Sequence, residues 1–176
     1  VLDANDCELN ETINIDQPSQ ISINYTITNL SCFNDSSGAI DLTTSGGVIP
    51  YSFLWNNGQT TEDINTLSSS NYQINITDGN NCEFVQQFNV TQPDLLAVSS
   101  NITHVKCYGE TTGEIDITIS GGSSPFLTNW SNNQSNEDLT NIPSGLYSVA
   151  ISDANDCFVS SEYVVNQPEE ILSSIN

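Results

Sequence analysis

The sequence predicts an all-β protein made of tandem antiparallel β-sandwich modules with a 75-residue repeat. When the chain is compared with itself at that offset, 25 of the 75 positions in 19–93 are identical to those in 94–168, without a gap. Apolar and polar residues alternate in several short segments, which is the period of a strand with one buried face. Residues typical of turns separate these segments, and no stretch has the 3.6-residue period of a helix.

The repeat also predicts the domain organisation. Two complete modules cover 19–93 and 94–168, while 1–18 matches the C-terminal tail of a preceding module and 169–176 the start of a following one. We therefore expect the chain to be an interior piece of a longer array, in which each repeat is one structural unit.

Six strands are predicted in each module. In the first they lie near 20–28, 38–45, 50–56, 62–67, 71–78 and 82–91, and their equivalents follow 75 residues later. The second and fifth alternate most clearly, and glycine pairs or Asn-Gly and Asp-Gly steps end several of them. Short strands at this spacing are typical of a compact sandwich. Four aromatic residues are the predicted core anchors: Trp55, Trp130, Tyr72 and Tyr147.

The charge balance excludes two classes of function. The chain has 22 acidic residues against a single Lys or Arg, which is Lys106, and a formal net charge of −21. Nucleic-acid binders and proteins that bind anionic membranes need clustered basic residues, so neither class fits. No apolar run approaches the 18 or more residues that a transmembrane helix needs, so no membrane insertion is expected.

The order of motifs carries a family resemblance. In the second module it runs Cys107, Gly113, Ile115–Ile119, Gly121-Gly122, Pro125-Phe126, Trp130, Gly145-Leu146-Tyr147, Asp153-Ala154-Asn155-Asp156-Cys157 and Gln167-Pro168. This resembles the SprB repeat of large Bacteroidetes surface proteins, including the gliding-motility adhesin, and the end of each module is also similar to polycystic-kidney-disease (PKD) Ig-like domains. The resemblance implies Ig-like modules, type IX secretion, display on the bacterial cell surface and long tandem arrays. It brings no catalytic site.

Five cysteines at a fixed period predict disulfides and an extracellular, oxidising setting. The simplest pairing is within modules, Cys32 with Cys82 and Cys107 with Cys157, and it leaves Cys7 without its partner. Geometry favours an alternative. In a plain Ig-like topology Cys32 and Cys82 lie at opposite ends of a seven-residue strand, about 23 Å apart, whereas a disulfide needs Cα atoms within about 7 Å. Both pairings stay open at this point: within modules, or between modules as Cys32–Cys157, with Cys7, Cys82 and Cys107 bonded to modules outside the sequence.

Two sets of carboxylates are candidate calcium ligands. No cofactor other than calcium is expected. Asp3, Asp78 and Asp153 each begin an Asp-x-Asn-x-Cys motif, and Asp63 and Asp138 each follow a glutamate. Oxygen atoms at alternate positions suit Ca²⁺, but a hairpin turn in which Asp caps its own backbone is the simpler interpretation. Pairs of acidic residues also form the catalytic sites of glycosidases. The acidic pairs of this sequence recur in every module, at positions where strands are expected to start. We therefore predict no enzymatic activity.

Two functions remain. The first is a structural repeat segment of a secreted cell-surface adhesin or filament, a fibre or stalk whose partners are neighbouring modules and other copies in the fibre. The second is a glycan- or surface-binding module with an unidentified ligand, which an exposed row of Tyr51, Phe53 and Phe126 would support.

Overall fold

The computed structural model describes residues 1, 5, 7, 8 and 10–172 of the chain. In this part of the chain every regular element is a strand, and the strands follow one another as β1 Ser22–Thr28, β2 Gly38–Ser45, β3 Ser52–Trp55, β4 Ile64–Leu67, β5 Ser70–Thr77, β6 Glu83–Val90, β7 Ala97–Thr103, β8 Gly113–Ser120, β9 Leu127–Trp130, β10 Leu139–Ile142, β11 Gly145–Ser152 and β12 Phe158–Val165. Each lies within two residues of its predicted position at both ends, because the period-two alternation and the turn residues set both limits.

The strands form antiparallel sheets that repeat along the chain. The order is β1-β2-β4 and β3-β5-β6 in the first repeat, and β7-β8-β10 and β9-β11-β12 in the second. The register is regular where strands are long: β11 pairs with β12 from Gly145 opposite Val165 to Ser152 opposite Phe158. The all-β class, the antiparallel pairing and the 75-residue repeat of the predicted fold are confirmed.

The chain divides into two compact units whose limits differ from those of the repeats. Unit 1 contains Val1–Thr26, Asp41–Asp63 and Tyr72–Gln87. Unit 2 contains Ile27–Ile40, Ile64–Asn71 and Phe88–Asn176. Unit 2 therefore holds the whole second repeat together with the segment around Cys32 from the first. The repeat limits at 18/19 and 93/94 stay a prediction from the sequence.

The core of unit 2 shows how the second repeat is stabilised. Its centre is Trp130, which is 2% exposed and whose indole N–H donates to the carbonyl of Asn136 at 3.0 Å. The ring lies 6.0 Å from that of Tyr163, and Tyr147 is buried in the same cluster with its hydroxyl donating to the carbonyl of Pro143. In the first repeat, Trp55 and Tyr72 are buried likewise. Burial of these large side chains contributes to the hydrophobic stabilisation of each repeat.

A glycine pair in each repeat fixes the start of that repeat. Gly121 has φ +67°, and a Cβ there would lie 2.0 Å from the carbonyl oxygen of Leu95. The next residue, Gly122, donates its N–H to the carbonyl of Asp94 at 2.9 Å. Only glycine combines this backbone conformation with so close an approach, which explains why the pair recurs at 46–47. Among the described residues, no helix has the length and apolar character needed to cross a membrane.

Candidate functional site

A disulfide joins the two repeats. It connects Cys32 of the first with Cys157 of the second, a sequence separation of 125 residues, with Cα atoms 5.6 Å apart. Both residues belong to unit 2. Cys82 and Cys107 are exposed thiols, and Cys7 is exposed as well. The pairing predicted within modules, Cys32–Cys82 and Cys107–Cys157, is therefore wrong, and the structure has the alternative pairing between modules.

The second repeat shows the physical reason for the correction. The segment before Cys107 is tied to the end of β12, since Val105 donates its N–H to the carbonyl of Asn166 at 2.9 Å. Cys157 immediately precedes the start of β12. An eight-residue strand of about 26 Å separates the two ends, which is far beyond the Cα separation that a disulfide allows.

The Asp hairpin, residues 153–157, positions one of the two sulfur atoms. Asp153 is 4% exposed, and its carboxylate accepts three backbone N–H groups: those of Ser123 at 2.8 Å, Asn155 at 2.8 Å and Cys157 at 2.9 Å. Burial alone would raise the pKa of Asp153, but these donors outweigh it and hold the pKa below its ordinary value. The ionised side chain thus fixes both the hairpin and the backbone of Cys157.

Asn155 makes the polar contact across the joint. Its side-chain amide donates to the carbonyl of Ser31 at 3.0 Å and also to the hydroxyl of Ser123 at 3.2 Å. Because Ser31 precedes Cys32, this hydrogen bond aligns the backbone on one side of the disulfide with the hairpin on the other. In this copy of the Asp-x-Asn-x-Cys motif, Asp153 holds the hairpin in shape, Asn155 contacts the neighbouring repeat and Cys157 forms the disulfide with it.

The cysteine loop, residues 31–37, carries the other sulfur atom and is held by its own hydrogen bonds. Cys32 donates its N–H to the Asp35 carboxylate at 2.9 Å, and Asn34 donates its N–H to the side-chain oxygen of Gln92 at 2.9 Å. Hydrogen bonds from Ser37 chiefly, and from Cys32, lower the pKa of Asp35 below its ordinary value, although partial burial opposes them. Gln92 belongs to the recurring Gln-Pro pair, which therefore fixes the cysteine loop.

A largely apolar cleft lies beside the disulfide. It has a volume of about 270 Å³ and is lined by Cys32, Phe33, Leu95, Leu96, Asp156, Cys157 and Phe158. Leu96 is buried and Cys157 is only 9% exposed, whereas its equivalent Cys82 is exposed. The disulfide, the Asn155 contact and this cleft together make a joint between successive repeats.

The candidate calcium ligands that the structure describes accept hydrogen bonds from backbone N–H groups. Asp78 repeats the geometry of Asp153, accepting the N–H groups of Val48, Asn80 and Cys82 at 2.8–2.9 Å. The backbone N–H of Cys82, which has the largest effect, and that of Val48 lower the pKa of Asp78 below its ordinary value. These are the hydrogen bonds of a hairpin turn rather than of an open oxygen cage. Asp3 lies outside the described residues.

The second set of acids continues the strand ladders. Asp63 accepts the N–H of Leu42 at 2.8 Å, and Asp138 accepts the N–H of Ile117 at 2.9 Å. Each carboxylate thus pairs with a strand N–H just where the neighbouring short strand, β4 or β10, has not yet begun. Within the described residues, no group of three or more His, Cys, Asp or Glu side chains is arranged to hold a metal ion.

The aromatic residues considered for ligand binding are half-buried. The rings of Tyr51 and Phe53 lie 6.4 Å apart, and the hydroxyl of Tyr51 donates to the carbonyl of Gly46. Phe126 packs against the core of the second repeat. They contribute to packing instead of forming an exposed row.

Comparison with known proteins identifies the modules. Residues 24–60 and 99–135 match the SprB repeat family. The two matched segments lie one in each of the 75-residue repeats. Their spacing is the 75-residue period, and the cysteine loop and glycine pair lie inside each match. Among curated proteins, none matches the sequence.

A comparison with solved structures finds weak likenesses, three of which follow. A 282-residue C-terminal fragment of intimin, solved with the intimin-binding domain of the translocated intimin receptor, is 11% identical with a TM-score of 0.42, covering 84% of this chain and 64% of that one. The eight N-terminal Ig domains of Down Syndrome Cell Adhesion Molecule are 9% identical with a TM-score of 0.45, covering 86% and 25%. Domains 4–9 of the surface layer protein SbsC are 13% identical with a TM-score of 0.34, covering 90% and 32%. The chain thus spans less than two thirds of each of these three.

Proposed function

We propose that the chain is a load-bearing structural segment of a long, secreted bacterial cell-surface adhesin or filament, without enzymatic activity, whose repeats are locked to one another by disulfides. The observation that carries the proposal is the Cys32–Cys157 bond between successive SprB repeats. A module that acts alone has no use for a bond to its neighbour, whereas a stalk gains resistance to extension from it. Gliding motility and export by the type IX pathway fit such a stalk.

The position of the disulfide determines how tension passes along the chain. A force applied at the two ends runs through the backbone to Cys32, crosses the S–S bond and continues from Cys157. The residues between the two cysteines, which include most of both repeats, are bypassed and cannot extend while the bond is intact. That segment of 125 residues corresponds to about 400–450 Å of extended chain.

The surface charge suits the same role. The formal net charge of the chain is −21, so neighbouring stalks repel each other at short range and stay in solution. Oxidising conditions outside the cell preserve the disulfide, and a cell-surface location fits the adhesin-type repeats.

Single-molecule force spectroscopy on the full chain, held by its two ends, tests the proposal. With the disulfide intact, the total unfolding extension should fall short of that of the reduced chain by about 400–450 Å. The Cys32→Ser variant should extend fully without reductant, and the matched control Cys82→Ser, which removes an exposed thiol, should behave as the unmodified protein. Equal extensions for the oxidised and reduced chain would overturn the proposal.

A further inference from the structure

We propose that Cys82 and Cys107 are the two open halves of the same joint and that each bonds a further SprB repeat: Cys82 takes the cysteine loop of another repeat, and Cys107 takes another repeat's Asp hairpin. The proposal rests on the function proposed above and names the partner of each surface. Cys107 is the equivalent of Cys32 at the 75-residue offset, and Cys82 is the equivalent of Cys157. The bonded pair therefore shows what each exposed thiol is built to meet.

The loop around Cys107 already has the shape of the bonded one. Gly109 donates its N–H to the side-chain oxygen of Gln167 at 3.0 Å, as Asn34 does to Gln92 at 2.9 Å. The N–H of Lys106 bonds the Thr112 hydroxyl at 3.0 Å, as that of Ser31 bonds the Ser37 hydroxyl at 2.8 Å. This loop needs no rearrangement before it binds a partner.

The hairpin around Cys82 is formed in the same way. The carboxylate of Asp78 accepts the N–H of Cys82 at 2.9 Å and that of Asn80 at 2.8 Å, the same distances as between Asp153 and its hairpin. Asn80 is the equivalent of Asn155 at the 75-residue offset, and the side-chain amide of Asn155 binds the backbone of the cysteine loop. Both halves of the joint are thus preorganised, which lowers the cost of ordering them on binding.

Each thiol also opens into a cleft that matches one side of the bonded joint. Beside Cys82 lies a cleft of about 330 Å³, lined in part by 17–21, Asn80 and Phe84. Beside Cys107 lies one of about 380 Å³, lined by Lys106, Tyr108 and 168–171. At the offset, 17–21 and 168–171 correspond to the region of Leu95 and Leu96, which lines the cleft at the Cys32–Cys157 joint.

Charge favours the same partner at Cys107. Lys106, the only Lys or Arg of the chain, lines the cleft beside Cys107. The hairpin that this cleft would receive is acidic: at the bonded joint, Asp156 lines the cleft together with Cys32. A lysine facing such a hairpin adds an attraction that a neutral loop lacks.

The bond forms by thiol–disulfide exchange with a disulfide oxidant such as oxidised glutathione. One thiolate attacks the oxidant and releases one reduced thiol, and the second cysteine then displaces the other. The two cysteines lose two electrons and two protons, and the oxidant becomes two thiols. Each disulfide reaches across one junction between repeats, so the loops of chain that successive disulfides close overlap. A repeat inside the array is therefore held by two disulfides, and one of them still holds it when the other is reduced.

The experiment extends the full chain by one repeat. A second copy of 94–168 is placed directly after Pro168, with Ala154→Gly in the copy as a mass tag, since glycine occupies the equivalent position 79. The protein is refolded in a glutathione redox buffer, alkylated and mapped by mass spectrometry without reduction. We expect a new bond between Cys107 and the tagged hairpin, beside Cys32–Cys157, with alkylation of Cys107 falling by at least tenfold relative to the unextended chain. A copy of 19–93 inserted before Ser19 tests Cys82 in the same way.

The Cys107→Ser variant of the extended chain is the matched control and should lose the new bond while keeping Cys32–Cys157. Alkylated Cys107 in the extended chain, a bond from Cys107 to Cys82, or loss of Cys32–Cys157 on extension would each overturn the proposal, because it requires both joints to form together. The unextended chain separates the two claims. If it lacks Cys32–Cys157, the proposed function fails; if it has that bond but the extended chain leaves Cys107 alkylated, only the present proposal fails.

Discussion

Removing the disulfide between the repeats should destabilise the protein strongly. In the Cys32→Ser variant the unfolded chain regains the freedom that a closed loop of 125 residues had removed. The chain-entropy relation gives about 5 kcal/mol for a loop of this length at 25 °C. For a protein of this size each kcal/mol shifts the melting temperature by about 2–4 °C, so the variant should melt about 10–20 °C lower.

Thermal unfolding followed by circular dichroism measures this shift, and the chain supplies its own controls. Cys82→Ser changes an exposed thiol and should leave the melting temperature within a degree or two. The double variant Cys32→Ser/Cys157→Ser should match the single variant, since both remove one bond. If Cys32→Ser and Cys82→Ser melt together, the disulfide does not stabilise the native protein and the reasoning is refuted.

Three further predictions test the fold. Trp130→Ala, at a site 2% exposed, should cost about 3–5 kcal/mol in denaturant unfolding; a cost below 1 kcal/mol would contradict its place in the core. Gly46→Ala should destabilise well beyond Gly58→Ala, because both have positive φ but only at Gly46 would a Cβ meet a backbone oxygen, at 2.1 Å; equal costs would disprove the close approach. The low pKa of Asp153 means that its contribution is complete above the ordinary value of 3.8 and disappears as pH falls through the folded-state value. Asp153→Asn should therefore be less stable at pH 7 and lose less stability between pH 5 and pH 3, and parallel pH profiles would refute this.

The strands could be predicted because their signal is local. The alternation in β8 and β11 and the turn residues between them depend on neighbours in sequence, and the repeat offset transfers each assignment to the other copy. Burial of Trp55 and Trp130 follows from the same pattern, since each ends a short strand that faces the core.

The disulfide pairing could not be fixed in this way. It depends on which strand ends meet in space, and the sequence shows only that Cys32, Cys82, Cys107 and Cys157 recur at one period. Strand length is compatible with two pairings, and only the hydrogen bond between the cysteine loop and the end of the last strand of its repeat separates them.

The role of Gln92 was missed for a related reason. Its side chain accepts the backbone N–H of Asn34, and the equivalent donor in the second repeat is the N–H of Gly109. Because the donor is a backbone group, its residue type differs between the repeats and does not indicate the contact. The recurrence of Gln-Pro was the only available signal. The carboxylate of Asp153 likewise binds backbone N–H groups, and the sequence alone could not separate that arrangement from a calcium site.

The most direct test of the joint is a disulfide map of the full chain, alkylated and digested without reduction. A cross-linked peptide pair containing Cys32 and Cys157, with Cys82 and Cys107 alkylated, is the predicted result. Peptide pairs joining Cys32 to Cys82 and Cys107 to Cys157 would contradict the joint between repeats and the load path that depends on it.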